Sequence, residues 1–390
     1  MTVEQVYTLV NTITAEQLGD SVIVNEDLSN IVDIGRAFEN ANGLDNYVRS
    51  LNDHIGKMVF VNRVYNGRGA SLVRDGWEYG SILEKVRATL PDATENESWE
   101  LQDGASYDPN VFYKPIVSVK FFNDRVTFEV PISITEKQVK SAFSSAVQMN
   151  SFVSMLYTAI ANSLTVKLDG LIMRTINAMI GETLYSDYGA ASLSSKSGVR
   201  AINLLYLYNQ TVGEGDQIAS ASDAMLNPDF LRFATLQIKD YIGRMQNMST
   251  LFNVGGTEKF TSRDRMHMVF LDEFINATEV YLYDGLNQFR NENLRLPDGM
   301  ERVSYWQGSG TGYAFNDITA INVVTPSGDT VNASGILGIV FDRDAMGVAN
   351  LDRRVTTHYN PKAEFWNEWH KVDVGFWADL DENAVVFFVA

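Results

Sequence analysis

Four histidines are the first residues to weigh as chemistry: His54, His267, His358 and His370. No pair has the H-E-x-x-H spacing that puts two imidazoles and a general base on one helix face, which excludes a zincin. His358 and His370 stand near Asp352, Glu364, Glu368 and Asp373. Such a set could bind a metal or move a proton. The surrounding aromatics favour packing and hydrogen bonding instead. "GSGTG" (Gly308–Gly312) lacks the spacing of a dinucleotide loop, and "GGTEK" (Gly255–Lys259) lacks the G-K-[ST] end of a phosphate loop. "DRD" (Asp342–Asp344) pairs two carboxylates around Arg343 and reads as an ion-pair cluster after a strand. No G-x-S-x-G elbow occurs. With no cysteine in the chain, disulfides and thiolate metal sites are excluded. The expectation is no enzyme, no metal and no cofactor.

The elements that would position any such groups are shaped by length and charge. A chain of 390 residues with 45% hydrophobic content can build a sizeable core. Its formal net charge of −18 opposes broad adsorption to nucleic acid or anionic lipid and favours solubility at high concentration. Ser141 to Val166 is 26 residues without a formal charge, but 11 of them are Ser, Thr, Asn or Gln. A lipid-facing helix would not carry so much polar surface, so no membrane span is expected.

Residues 1–57 read as an arm of short amphipathic helices. Val6, Leu9, Val10 and Ile13 form one stripe. Ile31, Ile34 and Phe38 form another, and Leu44, Tyr47, Val48, Leu51 and Ile55 a third. Short stripes need cover from elsewhere. Two strand-like runs follow, Tyr79–Leu90 and Pro115–Ile132, around a 24-residue polar excursion. From Asp92 to Asp108 that excursion has six acidic residues and no basic one. It reads either as a solvated loop or as the tip of a long hairpin reaching another subunit. Next, Thr135 and Gln138 form a capping box. Apolar steps of mostly three or four then run through Phe143, Val147, Val153, Leu156, Ile160, Leu164, Leu168 and Ile176 to Met179, a helix of about 40 residues. Its other face is uncharged, which implies protein on several sides. "VRAINLLYLYNQTV" reads as strand or buried helix, Pro228 begins or breaks a helix, and "RMHMVFLDEF" is a strand running into a turn or helix. Strands are expected at Gly335–Phe341, Lys371–Leu380 and Ala384–Val389, with "DEN" (Asp381–Asn383) as a hairpin turn.

This order of parts resembles a known family. "RVTFEVPISITEKQVKSAF" is similar to the passage from extended loop to spine helix in the major capsid proteins of tailed bacteriophages, the Hong-Kong-ninety-seven type fold that encapsulins share. "GILGIVFDRDAMGVANLDRRVTTHYNPKAEFWNEWHKVDVGFWADLDENAVVFFVA" resembles that family's closing strands. The resemblance implies an α+β fold divided as follows: N-terminal arm 1–57, extended β-hairpin loop 58–132, spine helix 133–185, axial domain with some peripheral elements 186–334, and closing strands of the peripheral domain 335–390.

It further implies self-assembly as pentamers and hexamers into an icosahedral shell around double-stranded DNA. DNA would be enclosed without sequence-specific binding. The short stretch before the hairpin implies a separate scaffolding protein, with a portal as a further partner, and assembly in the bacterial cytoplasm. The alternatives are an encapsulin-like compartment or, in a different class, a soluble enzyme or carbohydrate-binding protein. Candidate inter-subunit contacts are Val6, Leu9 and Ile13 on the arm, Asp92, Glu95, Glu97, Glu100 and Asp103 at the hairpin tip, and Arg353 and Arg354 as their partners on a neighbour. Deleting residues 1–28 is expected to leave a folded, assembly-defective subunit. Phe365, Trp366, Trp369, Phe376 and Trp377 are expected to fill a core beneath the spine.

Overall fold

The computed structural model describes residues 3–19, 24–40, 43, 45–51, 54, 72–75, 83–88, 95, 100–110, 112–114, 116–189, 191–281, 300–307, 315–325 and 328–390. Two sheets and one long helix organise them. The first sheet has the order β1 (Val73–Asp75), β11 (Met346–Asn360), β12 (Phe365–Ala378), β4 (Arg125–Thr135). The second has the order β5 (Ala201–Asn203), β13 (Ala384–Phe388), β10 (Ile336–Asp342), β6 (Met266–Leu271), β7 (Glu301–Val303). Two small ribbons complete the strands: β2 (Leu83–Ala88) with β3 (Val117–Phe122), and β8 (Ile321–Val324) with β9 (Thr330–Ala333).

The last 56 residues do not close one sheet. β11 and β12 pair antiparallel in the first sheet, whereas β10 and β13 pair in the second. Burial explains the division. Every residue of β10 and β13 is buried, as central strands covered on both faces must be. Along much of β11 and β12 burial alternates, as in a sheet with one covered face. "DEN" is therefore a crossing between sheets and not a hairpin turn. The strand expected from Lys371 starts earlier, at Phe365, and β11 has no counterpart among the expected strands. The aromatic cluster also divides. Trp366 and Trp377 are buried, while Phe365, Trp369 and Phe376 are half-buried.

The spine is α4 (Glu136–Ala142) followed by α5 (Ala146–Tyr188), 43 residues and about 65 Å at 1.5 Å per residue. The Thr135–Gln138 capping box starts α4, and Ser145 caps α5 after a short break. In the first half of α5 the buried residues step by three or four: Met149, Val153, Leu156, Ile160, Leu164, Leu168. Val147, expected on that face, is 75% exposed, and Met149 takes its place. From Leu171 to Leu184 burial extends around the helix, because this half contacts β5, β13, β8 and β9. "VRAINLLYLYNQTV" resolves into both alternatives, β5 and then α6 (Leu204–Thr211). Asn227 caps α8 (Pro228–Met245), and α9 (Asp272–Tyr281) follows β6 directly.

The arm is corrected most. Val6, Leu9 and Ile13 on α1 (Val3–Leu18) are 0%, 4% and 0% exposed within a single chain. α1 packs on α5 and on α2 (Ile31–Asn40). Phe38 of α2, Tyr47 of α3 (45–51) and Phe143 of the spine pack as tilted rings with centroids 4.7, 5.0 and 6.0 Å apart. The Tyr47 hydroxyl reaches Met149 Sδ, and Trp366 Nε1 donates to Asp45 at 2.6 Å. Gly35 makes this approach possible, since a Cβ there would stand 2.6 Å from the Phe143 side chain. The stripes do lack a core of their own. Their cover is the chain's own spine, so these three residues are not free for a neighbouring subunit.

Candidate assembly surfaces

The histidine constellation does not form a site. In β11–β12 the register places His358 opposite Asn367 and Val355 opposite His370, so the two rings point to opposite faces of the sheet. His358 is exposed, whereas His370 and Glu368 are buried with 3.8 Å between Nε2 and Oε2. Among the described residues no group of three or more His, Asp or Glu is placed to hold a metal ion, and no helix is long and apolar enough to cross a membrane. The "DRD" carboxylates meet Arg265, with Asp342 3.6 Å away and Asp344 in closer contact.

Part of the hairpin expected from sequence is present as β2–β3, in the antiparallel register Leu83↔Phe122 to Ala88↔Val117, whereas the rest of the second run, from Arg125, pairs with β12 in the first sheet as β4. Its two faces differ. One carries Val86, Val117, Val119 and Phe121, which are 63%, 53%, 43% and 64% exposed. Phe112, Tyr113 and Ile116 continue the apolar surface toward the tip, all exposed. A bare apolar surface of this kind marks an interaction site. The opposite face carries Lys85, Arg87 and Lys120, which turn inward onto Asp379, Asp381 and Glu382. Sequence reasoning missed this cluster. Its only local trace is the alternation Lys85-x-Arg87 opposite a later Asp379-x-Asp381-Glu382.

The tip acids Glu95, Glu100 and Asp103 are exposed, and Asp92 and Glu97 lie outside the described residues. Arg354 does not serve them. Its guanidinium holds Asp352 at 3.0 Å and Asp373 at 2.8 Å on its own sheet. Burial alone would push the Asp373 carboxyl up, but the Thr127 hydroxyl and Arg354 outweigh it and hold it below the ordinary value. Arg353 is half-buried, its backbone N–H donating to Asp352. A neighbour's tip acids would therefore compete with Asp352 and Asp373 for Arg354.

A third surface runs along the first half of α5. Val147, Ser151, Met155, Thr158, Asn162 and Val166 are all exposed, on one face and without a formal charge. A helix face meant for bulk water ordinarily carries charge.

Two sheets braced by a long spine, with a bare apolar hairpin and an uncharged helix face, define a class of protein whose surface is made to meet other protein. The fold is similar to a chain of the capsid of Staphylococcus phage Andhra, with a TM-score of 0.51 and 11% identity, covering 84% of this chain and 86% of that one. A chain of the cyanophage P-SCSP1u capsid aligns with a TM-score of 0.44 and 13% identity over 82% of this chain and 86% of that one. No curated protein matches in sequence. The family model of the Phi29-like phage major capsid protein matches residues 10–388, and the chain belongs to that family. It is a structural capsid protein of a bacteriophage, and its copies associate with one another in the virion shell.

Proposed function

We propose that copies of this chain associate as pentamers and hexamers and close into an icosahedral shell around a double-stranded DNA genome. The β2–β3 hairpin of each copy lies on its neighbour. One observation carries this reading. The hairpin leaves Val86, Val117, Val119 and Phe121 bare on a ribbon of only two strands, and such a ribbon is marginal in water unless something covers it. A second copy supplies that cover, and the uncharged face of α5 is a surface of matching polarity. In this reading the first sheet with the spine is the peripheral part, and the second sheet with much of 186–334 is the axial part. The acidic tip meets a basic side chain of the neighbour other than Arg354. The net charge of −18 keeps packaged DNA from adhering to the shell, so DNA is enclosed without sequence recognition. A separate scaffolding protein and a portal complete assembly in the bacterial cytoplasm, and the chain performs no catalysis.

The test is a paired substitution, Val119→Asp with Phe121→Asp. Both sites are exposed, so the subunit should stay folded by circular dichroism. Electron microscopy and sedimentation should show shells for the parent and unassembled subunits for the variant. Normal shells from the variant would refute the hairpin's role.

A further inference from the structure

β2 and β3 pair with each other and with no other strand among the described residues. The hairpin is therefore held to the body of the protein by something other than a shared ladder. Its inward face supplies the means. Lys85 Nζ donates to Asp379 Oδ2 at 3.0 Å and to the backbone carbonyl of Asp344. Arg87 spreads over three carboxylates: Asp379, Asp381 at 2.6 Å and Glu382 at 2.8 Å. Lys120, on the other strand, reaches Asp379 at 3.4 Å and also contacts Asp381. From the body side Lys259 donates to both oxygens of Glu382 at 3.0 Å. The Asp379 side chain is 0% exposed and touches all three cations of the hairpin.

We propose that this cluster is a latch, with Asp379 as its pin, that fixes the direction in which the hairpin leaves its own subunit before any neighbour binds. The three carboxylates sit in a single turn between β12 and β13, where the chain crosses from one sheet to the other. The turn is anchored on both sides: the Asp379 N–H donates to the Ala345 carbonyl, and the Ala384 N–H donates to the Phe252 carbonyl. A rigid seat of this kind transmits its orientation to whatever is bound there. Three cations from two strands converge on it, so the hairpin cannot pivot without separating several half-buried ion pairs at once. The consequence for shell geometry rests on the function proposed above. The latch itself acts within a lone subunit.

Hydrogen exchange on the unassembled full-length subunit tests it. Asp379→Asn keeps the shape of the pin and removes its charge. Arg87→Gln with Lys120→Gln removes two cations from the hairpin side and leaves the body untouched. Both variants should speed exchange of the amides in 83–88 and 117–122 by at least about tenfold while β10 and β13 exchange as in the parent. Unchanged hairpin exchange in both variants would overturn the latch. So would equal acceleration in β10 and β13, because the cluster would then belong to the global fold and not to the hairpin alone. Loss of shells in the Val119/Phe121 variant with a normal latch, or the reverse, separates this inference from the proposed function.

Discussion

The stripe on α1 offers a decisive experiment, because local pattern and tertiary structure assign its cover differently. Ile13 is fully buried in a single chain. Ile13→Ala removes the equivalent of three buried methylene groups, about 2.4 kcal/mol of transfer free energy at about 0.8 kcal/mol each. A cavity that cannot collapse against α5 adds to this, for a total of about 3–4 kcal/mol. Urea unfolding of the unassembled subunit reads the loss directly. With a slope of about 3 kcal/mol per molar urea, the midpoint should fall by about 1 M. Val147→Ala, at a site 75% exposed on the same spine, should stay within about 0.5 kcal/mol of the parent. Deleting residues 1–28 should leave the spine face uncovered and the subunit unfolded or aggregated. An unchanged midpoint in Ile13→Ala together with a lower shell yield would refute this, for then the stripe finds its cover only in a neighbour.

Ile160 faces the interior at 1% exposure, so Ile160→Leu should cost under about 1.5 kcal/mol, whereas Ile160→Asp should leave no soluble folded subunit in a solubility and circular dichroism screen. Neutralising Glu95, Glu97 and Glu100 together should lower shell yield at 0.1 M salt more than at 1 M, where the screening length falls from about 10 Å to about 3 Å; light scattering at the two salts measures it. Burial alone would raise the Asp379 carboxyl, but Lys85 and Arg87 outweigh it and hold it below the usual 3.8. A depressed carboxylate stabilises above its unfolded value and loses that contribution as pH falls through the folded one. Hairpin protection, taken relative to the intrinsic amide exchange rate at each pH, should therefore fall below about pH 3.8 in the parent and show a weaker pH response in Asp379→Asn.

Much of this protein is legible along the chain because periodicity is a local property. Steps of three and four mark Val153, Leu156, Ile160 and Leu164 as one helix face, and Thr135 with Gln138 marks where the spine begins, whatever lies around them. The uncharged stretch through Val166 shows that this helix is not made for bulk water, and the six acids between Asp92 and Asp108 single out the hairpin tip. Partnership is not local. β10 and β11 are neighbours in sequence, yet full burial sends one to the second sheet while alternation keeps the other in the first. Arg87 and Asp381 are 294 positions apart, and no spacing rule joins them. The arm's stripes state that cover is needed but not whose it is. Only the packing of Phe38 and Tyr47 against Phe143, made close by Gly35, assigns that cover to the same chain. A residue's need for burial is set by its own chemistry, whereas the identity of its neighbour is set by the path of the whole backbone.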